Sequence, residues 1–270
     1  MDLAFFISLF ARSLQLRDEF VPQMSPWFEG TSKRWPPVIG FGLPRVGTAA
    51  PLVTVALNPS NREIERERIP DSVDVELQWK WQGDYFHQER GQLDWFDKSD
   101  AFLEAAVGRR HRDGVPHLDL SPQPTAGGFD SIYDKKASPA QQEAALRFLG
   151  LGATTTLLPL LAYLLAEHTL KNVVVYGYLP SRQKSTQGGS ATMKDFFWEV
   201  DRPFTLETTD KSTGLDVGRG KLREGHAWLK SWPALRRLDF VFLRRGPSAQ
   251  GDVYSALRDA GNRVRDLGWL

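Results

Sequence analysis

The chain has 270 residues, 41% of them hydrophobic and 25% charged, with a mean hydropathy of −0.37 and a formal net charge of +1. At roughly 150 residues per domain this allows one large or two small domains, with enough apolar material for a core. Cysteine is absent and the five His include no His-Glu-x-x-His pair. A disulfide scaffold, a thiolate metal site and a Cys nucleophile are thereby excluded, and a zinc hydrolase is disfavoured.

Taken in chain order, the N-terminal stretch places Leu3, Phe6, Leu9, Phe10, Leu14 and Leu16 at the spacing of a helix packed on a core. Its acidic start, short apolar run Leu3–Phe10 and lack of a small-residue cleavage site argue against a signal peptide. No stretch reaches about 18 consecutive apolar residues. The cytoplasm is therefore the expected compartment, with no membrane and no obligate protein partner.

Four short runs, Leu52–Leu57, Val115–Leu120, Asn172–Tyr178 and Leu238–Leu243, are nearly continuous in apolar residues. Such runs predict strands buried on both faces, as in a parallel sheet. Helices are predicted over Ser138–Leu149, with a Ser cap, Pro in the first turn and Gly150 at its end, and over Thr154–Leu170 and Tyr254–Leu267. Gly127–Gly128, Gly188–Gly189 and the polar Arg182–Lys194 mark loops. Alternating strands and helices predict an α/β, three-layer αβα sandwich around a central, mainly parallel four-stranded sheet. No linker or repeat interrupts it, so residues 1–270 read as a single domain with an insertion at about 61–110.

Charge is unevenly distributed. Ser60–Glu104 carries 12 acidic and 6 basic side chains, whereas Lys211–Arg245 carries 9 basic and 3 acidic ones. The basic stretch suits a face turned to a polyanion or, equally, a solvated surface. In parallel sheets chemistry collects beyond the carboxyl ends of the strands. Those ends run into Asn58-Pro59-Ser60-Asn61, Asp119 with Ser121-Pro122-Gln123, Leu179-Pro180-Ser181 and Arg244-Arg245-Gly246-Pro247-Ser248. Gly40-Phe41-Gly42 lacks the third glycine of a dinucleotide loop and precedes the first strand; Gly188–Lys194 has no Gly before its Lys, and no Gly-x-Ser-x-Gly elbow occurs.

The ordered set of strand ends resembles the uracil-DNA glycosylase superfamily, in its mismatch-specific-like branch. A strand leads into Ala56-Leu57-Asn58-Pro59-Ser60, a second carries Asp119, a third ends near Gly177, and the last ends in Gly246-Pro247-Ser248. Ser60 stands where that motif has Gly, and Gly246 where the family has His, so help from an imidazole is not expected. The resemblance implies a monofunctional DNA glycosylase that flips a base and hydrolyses its N-glycosidic bond to an abasic site, with Asn58 as the catalytic, water-positioning residue. It needs no metal and no organic cofactor, and its partner is DNA.

Asp119 stands where uracil enzymes carry a base-reading Asn. An ionised carboxylate only accepts hydrogen bonds, so it suits the 4-amino group of a cytosine-type base and opposes uracil O4. Bacterial anti-phage glycosylases that look like this superfamily act on glucosylated hydroxymethylcytosine, and the resemblance extends the expectation to that base. An ordinary uracil or mismatch repair glycosylase, and a non-catalytic nucleic-acid binder, are the alternatives. Tyr85 is the expected base-stacking residue; Trp79, Trp81, Phe86, Trp95 and Phe96 serve either stacking or core packing. Ser60, Arg244, Arg245, Gly246 and Ser248 are expected on DNA, the arginines and Ser248 holding phosphates, unless the arginines form only a solvated rim. Asn58-Pro59 also reads as a simple turn, Asp119 as a partner of a backbone amide or Arg, and His117 as a core histidine.

Overall fold

The computed structural model describes residues 1–24, 35–57, 59, 62–88, 93–124, 139–177, 201–210, 217–244, 246–247 and 251–270. Strands β1 (Leu52–Ala56), β2 (His117–Asp119), β3 (Asn172–Val175) and β6 (Asp239–Leu243) form the centres of the four expected runs. They pair in parallel in the order β2-β1-β3-β6, with Val55 opposite both Leu118 and Val175, and Val175 opposite Phe242. Pro116 has no N–H, so β2 begins after it. Beyond Asp119 the pairing continues, as Leu120 N donates to Ala56 O and Ser121 N to Leu57 O.

The expected four-stranded sheet is corrected to a mixed six-stranded one. A hairpin of β4 (Phe204–Asp210) and β5 (Val217–Leu222) joins antiparallel to β6, giving the order β2-β1-β3-β6-β5-β4. Its sequence hides it. β4 is an edge strand whose FTLETTD run buries only Phe204, and such polar edges resist further pairing. β5 contains two glycines, which ordinarily weaken a strand assignment. Here glycine is required: a Cβ on Gly220 would lie 2.2 Å from the Thr205 carbonyl oxygen.

Helices cover both faces. On one, α1 (Leu3–Met24), α5 (Pro139–Gly152) and α6 (Leu158–Glu167) pack Phe6, Phe10, Phe148, Leu160 and Leu164 against Val53, Val55, Leu118, Val173 and Phe240. On the other, α4 (Asp94–Val107) and α8 (Val253–Asp266) pack Phe102, Leu103, Leu257 and Val264 against Leu52, Val174, Tyr176 and Val241. The predicted break at Gly150 does not occur. The helix continues through a π turn at Ala153–Leu157, where the Thr154 hydroxyl donates to the Gly150 and Leu151 carbonyls. The stretch Leu146–Glu167 is long and apolar enough to cross a membrane, and 56% of its most apolar window is buried inside the protein.

Between β1 and β2 lie α2 (Arg62–Glu65), α3 (Val75–Gly83), a 3-10 turn at Tyr85–His87 and α4. Ile64, Ile69, Tyr85 and Phe96 from this stretch close a separate apolar cluster with Trp35, Val38 and Phe41. The chain leaves β1 toward one sheet edge and β3 toward the other. In open α/β sheets, ligands generally bind beyond the carboxyl ends of the strands at such a switch in direction. Close packing of α4 on α8 sets one wall of the molecule: a Cβ on Gly261 would lie 2.4 Å from Phe102 O. Gly261→Ala should therefore cost about 1–3 kcal/mol through forced separation of the helices. Urea unfolding checks this, and an unchanged midpoint would contradict the close approach.

Candidate active site

Alternation along the strands sorts the side chains at the carboxyl edge. Val53, Val55, Leu118 and Leu120 enter the core under α1 and α6, so Thr54, Ala56, His117 and Asp119 face the α4 side. Asp119 is 4% exposed, and neither carboxylate oxygen has a hydrogen-bond partner among the described residues. His117 Nε2 lies 3.5 Å from its Oδ1, long for a hydrogen bond. His117 Nδ1 is held by the Thr54 hydroxyl at 2.7 Å. The His117 ring itself is enclosed by Trp95, Phe96 and Phe41, with centroids at 4.6, 5.3 and 5.8 Å. Buried polar groups are almost always paired, so an isolated carboxylate is an acceptor without a donor.

A second carboxyl stands nearby. Glu63, on α2, is 2% exposed, and the Tyr85 hydroxyl donates to its Oε2 at 2.5 Å. Burial pushes the Glu63 carboxyl up to about 7; the charge of Asp119 adds to this, while Tyr85, Arg68 and Arg66 oppose it. Burial and the Glu63 charge raise the Tyr85 phenol, so it stays an O–H donor. Near neutral pH the Glu63 carboxyl is thus partly in its protonated form. A carboxyl in that form donates as well as accepts.

Deeper in the α4 side runs a satisfied polar chain. Burial lowers His111 to about 3, with His117 contributing, so the imidazole is neutral. His111 Nδ1 donates to Val115 O at 2.8 Å, and Nε2 then accepts from the Ser99 hydroxyl at 2.9 Å. Ser99 in turn accepts from Tyr176 Oη at 2.7 Å. Ser99 is fully buried. This Ser–His contact is therefore a structural link, with no exposed nucleophile.

Tyr85 is corrected as a stacking residue. It is 1% exposed, and Phe41 and Phe86 meet its ring edge-on at 4.7 and 5.1 Å, so its ring offers no free face. Its role here is to orient Glu63. Phe96 is core, and Phe86 stacks on His111. Trp95 is half-buried and meets both His117 and Tyr176, at 4.6 and 5.7 Å. His117 is buried as expected.

Gly246 lies against the end of β3, where an added Cβ would reach Tyr176 Cβ at 3.6 Å. Arg244 follows β6 directly and is half-exposed. Two strands separate β6 from β2, which sets Arg244 roughly 14 Å from Asp119. Asn58, Ser60, Arg245 and Ser248 lie outside the described residues, as do the loops at Gly127–Gly128 and Arg182–Lys194. The basic stretch does not gather at this edge. β5 runs antiparallel to β6, so Lys221 and Arg223, like Arg236 and Arg237 before β6, lie toward the opposite end of the sheet. Arg219 and Lys221 approach Asp239 at 3.2 and 3.6 Å.

Glu63 is the site residue that sequence reading missed. It sits in the run Arg62–Arg68, whose alternating charges look like a solvated helix; only Ile64 and Ile69 hint that one side of that run is buried. An apolar pocket lined by Val55, Leu157, Leu161, Val175 and Trp228 lies on the other face of the sheet, away from these groups. Among the described residues no three His, Asp or Glu side chains are grouped to hold a metal ion. Comparison of the chain with protein families, with curated proteins and with solved structures finds no match in any of the three.

The raised Glu63 acid has a consequence for stability. Between its ordinary 4.5 and about 7, the folded protein keeps a proton that the unfolded chain has released. Stability therefore falls as pH rises through this window and stays lowered above it. Glu63→Gln should remove this decline and raise stability at pH 8 by about 1–3 kcal/mol. Urea midpoints of both proteins from pH 5 to 8 test it; parallel pH curves would contradict it.

Proposed function

We propose that the protein is a monofunctional DNA glycosylase on a uracil-DNA glycosylase-like αβα scaffold, extended by the β4–β5 hairpin. It flips out a modified pyrimidine and hydrolyses its N-glycosidic bond to leave an abasic site. The observation that carries this reading is Asp119: a buried acceptor without a donor among the described residues, at the carboxyl edge of a parallel run of strands, beside the strand that leads into Asn58. An exocyclic amine supplies the missing donor.

Departure of the base builds positive charge on the sugar and negative charge on the base, as in other glycosyl transfers. Such a reaction needs orientation and dipoles more than a strong base. The Asn58 side chain places water on the sugar, and the oxygen of that water forms the new bond to the anomeric carbon as the bond to the base nitrogen breaks. Trp95 takes the stacking role first expected of Tyr85. Ser60, Arg244, Arg245, Gly246 and Ser248 contact the DNA, with the arginines and Ser248 on phosphates around the extruded nucleotide. The proposed hydrolysis draws on no metal or organic cofactor. The base is of cytosine type with a distinguishing substituent, best glucosylated hydroxymethylcytosine of phage DNA, which makes the setting a cytoplasmic antiviral defence.

Duplexes carrying glucosylated hydroxymethylcytosine, hydroxymethylcytosine or uracil, followed by alkaline cleavage, test the reading. Strand breaks are expected in an amino-bearing duplex and not in the uracil one. Asp119→Asn should lower excision of the amino-bearing base by about 10- to 100-fold relative to uracil, and Asn58→Ala should abolish cleavage while sparing most DNA affinity. Breaks in the uracil duplex alone would overturn the role of Asp119. Binding without excision of any base would favour the non-catalytic binder.

A further inference from the structure

We infer that the amino-terminal edge of the sheet carries a second nucleic-acid contact: a cationic face, built from the β4–β5 hairpin and the chain between β5 and β6, that holds the phosphates of a duplex whatever its sequence. This face lies apart from the excision site and does not depend on the glycosylase reading.

The fold gathers charge here that the sequence only strings out. β5 runs antiparallel to β6, so its last residues lie beside the first residues of β6, and Asp239 meets Arg219 and Lys221 at 3.2 and 3.6 Å. Backbone bonds continue the face: Arg223 N donates to Pro203 O, His226 N to Arg223 O, and Leu238 N to Leu235 O at the end of the 3-10 turn that carries Arg236 and Arg237. Arg223, Lys230, Arg236 and Arg237 are exposed, and Arg219 and Lys221 are half-exposed. The acids of this region are Glu207, Glu224 and Asp239, while Asp201 is turned to His226 at 3.0 Å. Among the described residues Arg223, Lys230 and Arg237 enter no ion pair. A surplus of unpaired cations on one face attracts a polyanion.

The hairpin adds hydroxyls to the charge. Residues directly opposite on paired strands point to the same face. Thr205 is opposite Lys221 and Thr208 is opposite Arg219, and both threonines are exposed. Two hydroxyl–cation pairs therefore stand side by side, about 7 Å apart along β5. Arg, Lys and Thr side chains are among those that contact phosphate oxygens and fix a protein on a duplex without reading its bases.

The same face is poorly suited to a lipid surface, which binds through apolar side chains as well as charge. The large exposed apolar side chains among the described residues, Ile7, Val46, Val73 and Tyr254, all lie outside it. Strand spacing and rise set Lys221 roughly 20–25 Å from Asp119. The face thus takes phosphates away from the edge where Asp119 stands.

The test is fluorescence anisotropy of the full chain with an unmodified duplex, from about 50 to 200 mM salt. The wild type is compared with the triple variant Arg223→Gln, Lys230→Gln, Arg237→Gln, and with a control of equal net charge, Arg12→Gln, Arg109→Gln, Arg112→Gln, at exposed positions elsewhere. The face variant should bind at least about tenfold more weakly and lose about 2–3 from the slope of log affinity against log salt. The control should keep most of the wild-type affinity and slope, and thermal melting shows that all three proteins are folded. No duplex binding by the wild type, an unchanged face variant, or equal losses in both variants would overturn the inference. Tighter binding of anionic phospholipid vesicles or of polyglutamate than of the duplex would overturn it as well. Excision of glucosylated hydroxymethylcytosine at saturating protein should be the same in the face variant as in the wild type. Loss of this face therefore leaves the glycosylase reading standing, and a wild type that excises no base leaves the face standing.

Discussion

The account turns on one unfavourable placement: the Asp119 carboxyl in the protein interior, with no hydrogen-bond partner among the described residues to offset its lost hydration. Removing an ionised group from water costs several kcal/mol unless donors replace the solvent. Among the described residues Asp119 meets an imidazole edge at 3.5 Å. Thr54 holds that imidazole, and four aromatic rings enclose the neighbourhood of His117 and Glu63. The contrast with Ser99, His111 and Tyr176 is instructive. Those equally buried groups are joined in a complete donor–acceptor chain, so the surrounding fold is capable of satisfying polar side chains where satisfaction is what it needs.

The topology explains why the unpaired group lies where it does. With the order β2-β1-β3-β6, β1 is an interior strand and its carboxyl end opens at the switch between crossovers. Asp119 is opposite Ala56, the last residue of β1, so the chain leaves β1 beside it. The 62–88 stretch then folds back over this edge and brings Glu63 and Tyr85 to it. Rigid strands fix Asp119, while a short helix and a 3-10 turn fix the second carboxyl. A site assembled this way is held by packed elements, which favours precise placement of hydrogen-bonding groups.

Much of this framework was legible in the residues. The runs at 52–57, 115–120, 172–178 and 238–243 are apolar because both sheet faces are covered, and each contains the observed strand. Asp119 was legible because it stands at the end of such a run, where the resemblance puts a base-reading side chain. The hairpin was not, since an edge strand such as Phe204–Asp210 needs no apolar alternation and Gly220 reads as a breaker until Thr205 is placed against it. Glu63 was hidden for a related reason: burial of one acid among five charged neighbours is a tertiary fact, set by how α2 lies on Ile69 and Tyr85. The aromatic insertion was legible only as apolar mass. Which ring is enclosed, as Tyr85 is, and which is half-open, as Trp95 is, depends on packing that no local pattern encodes.

The most direct test of the central claim is the unfolding free energy of Asp119→Asn at neutral pH. If the carboxylate is retained for a ligand at the expense of stability, the neutral isostere should be more stable than the wild type by about 1–3 kcal/mol. A variant less stable than the wild type would mean that Asp119 is already satisfied within the folded chain, and the case for a waiting acceptor at the sheet edge would be lost.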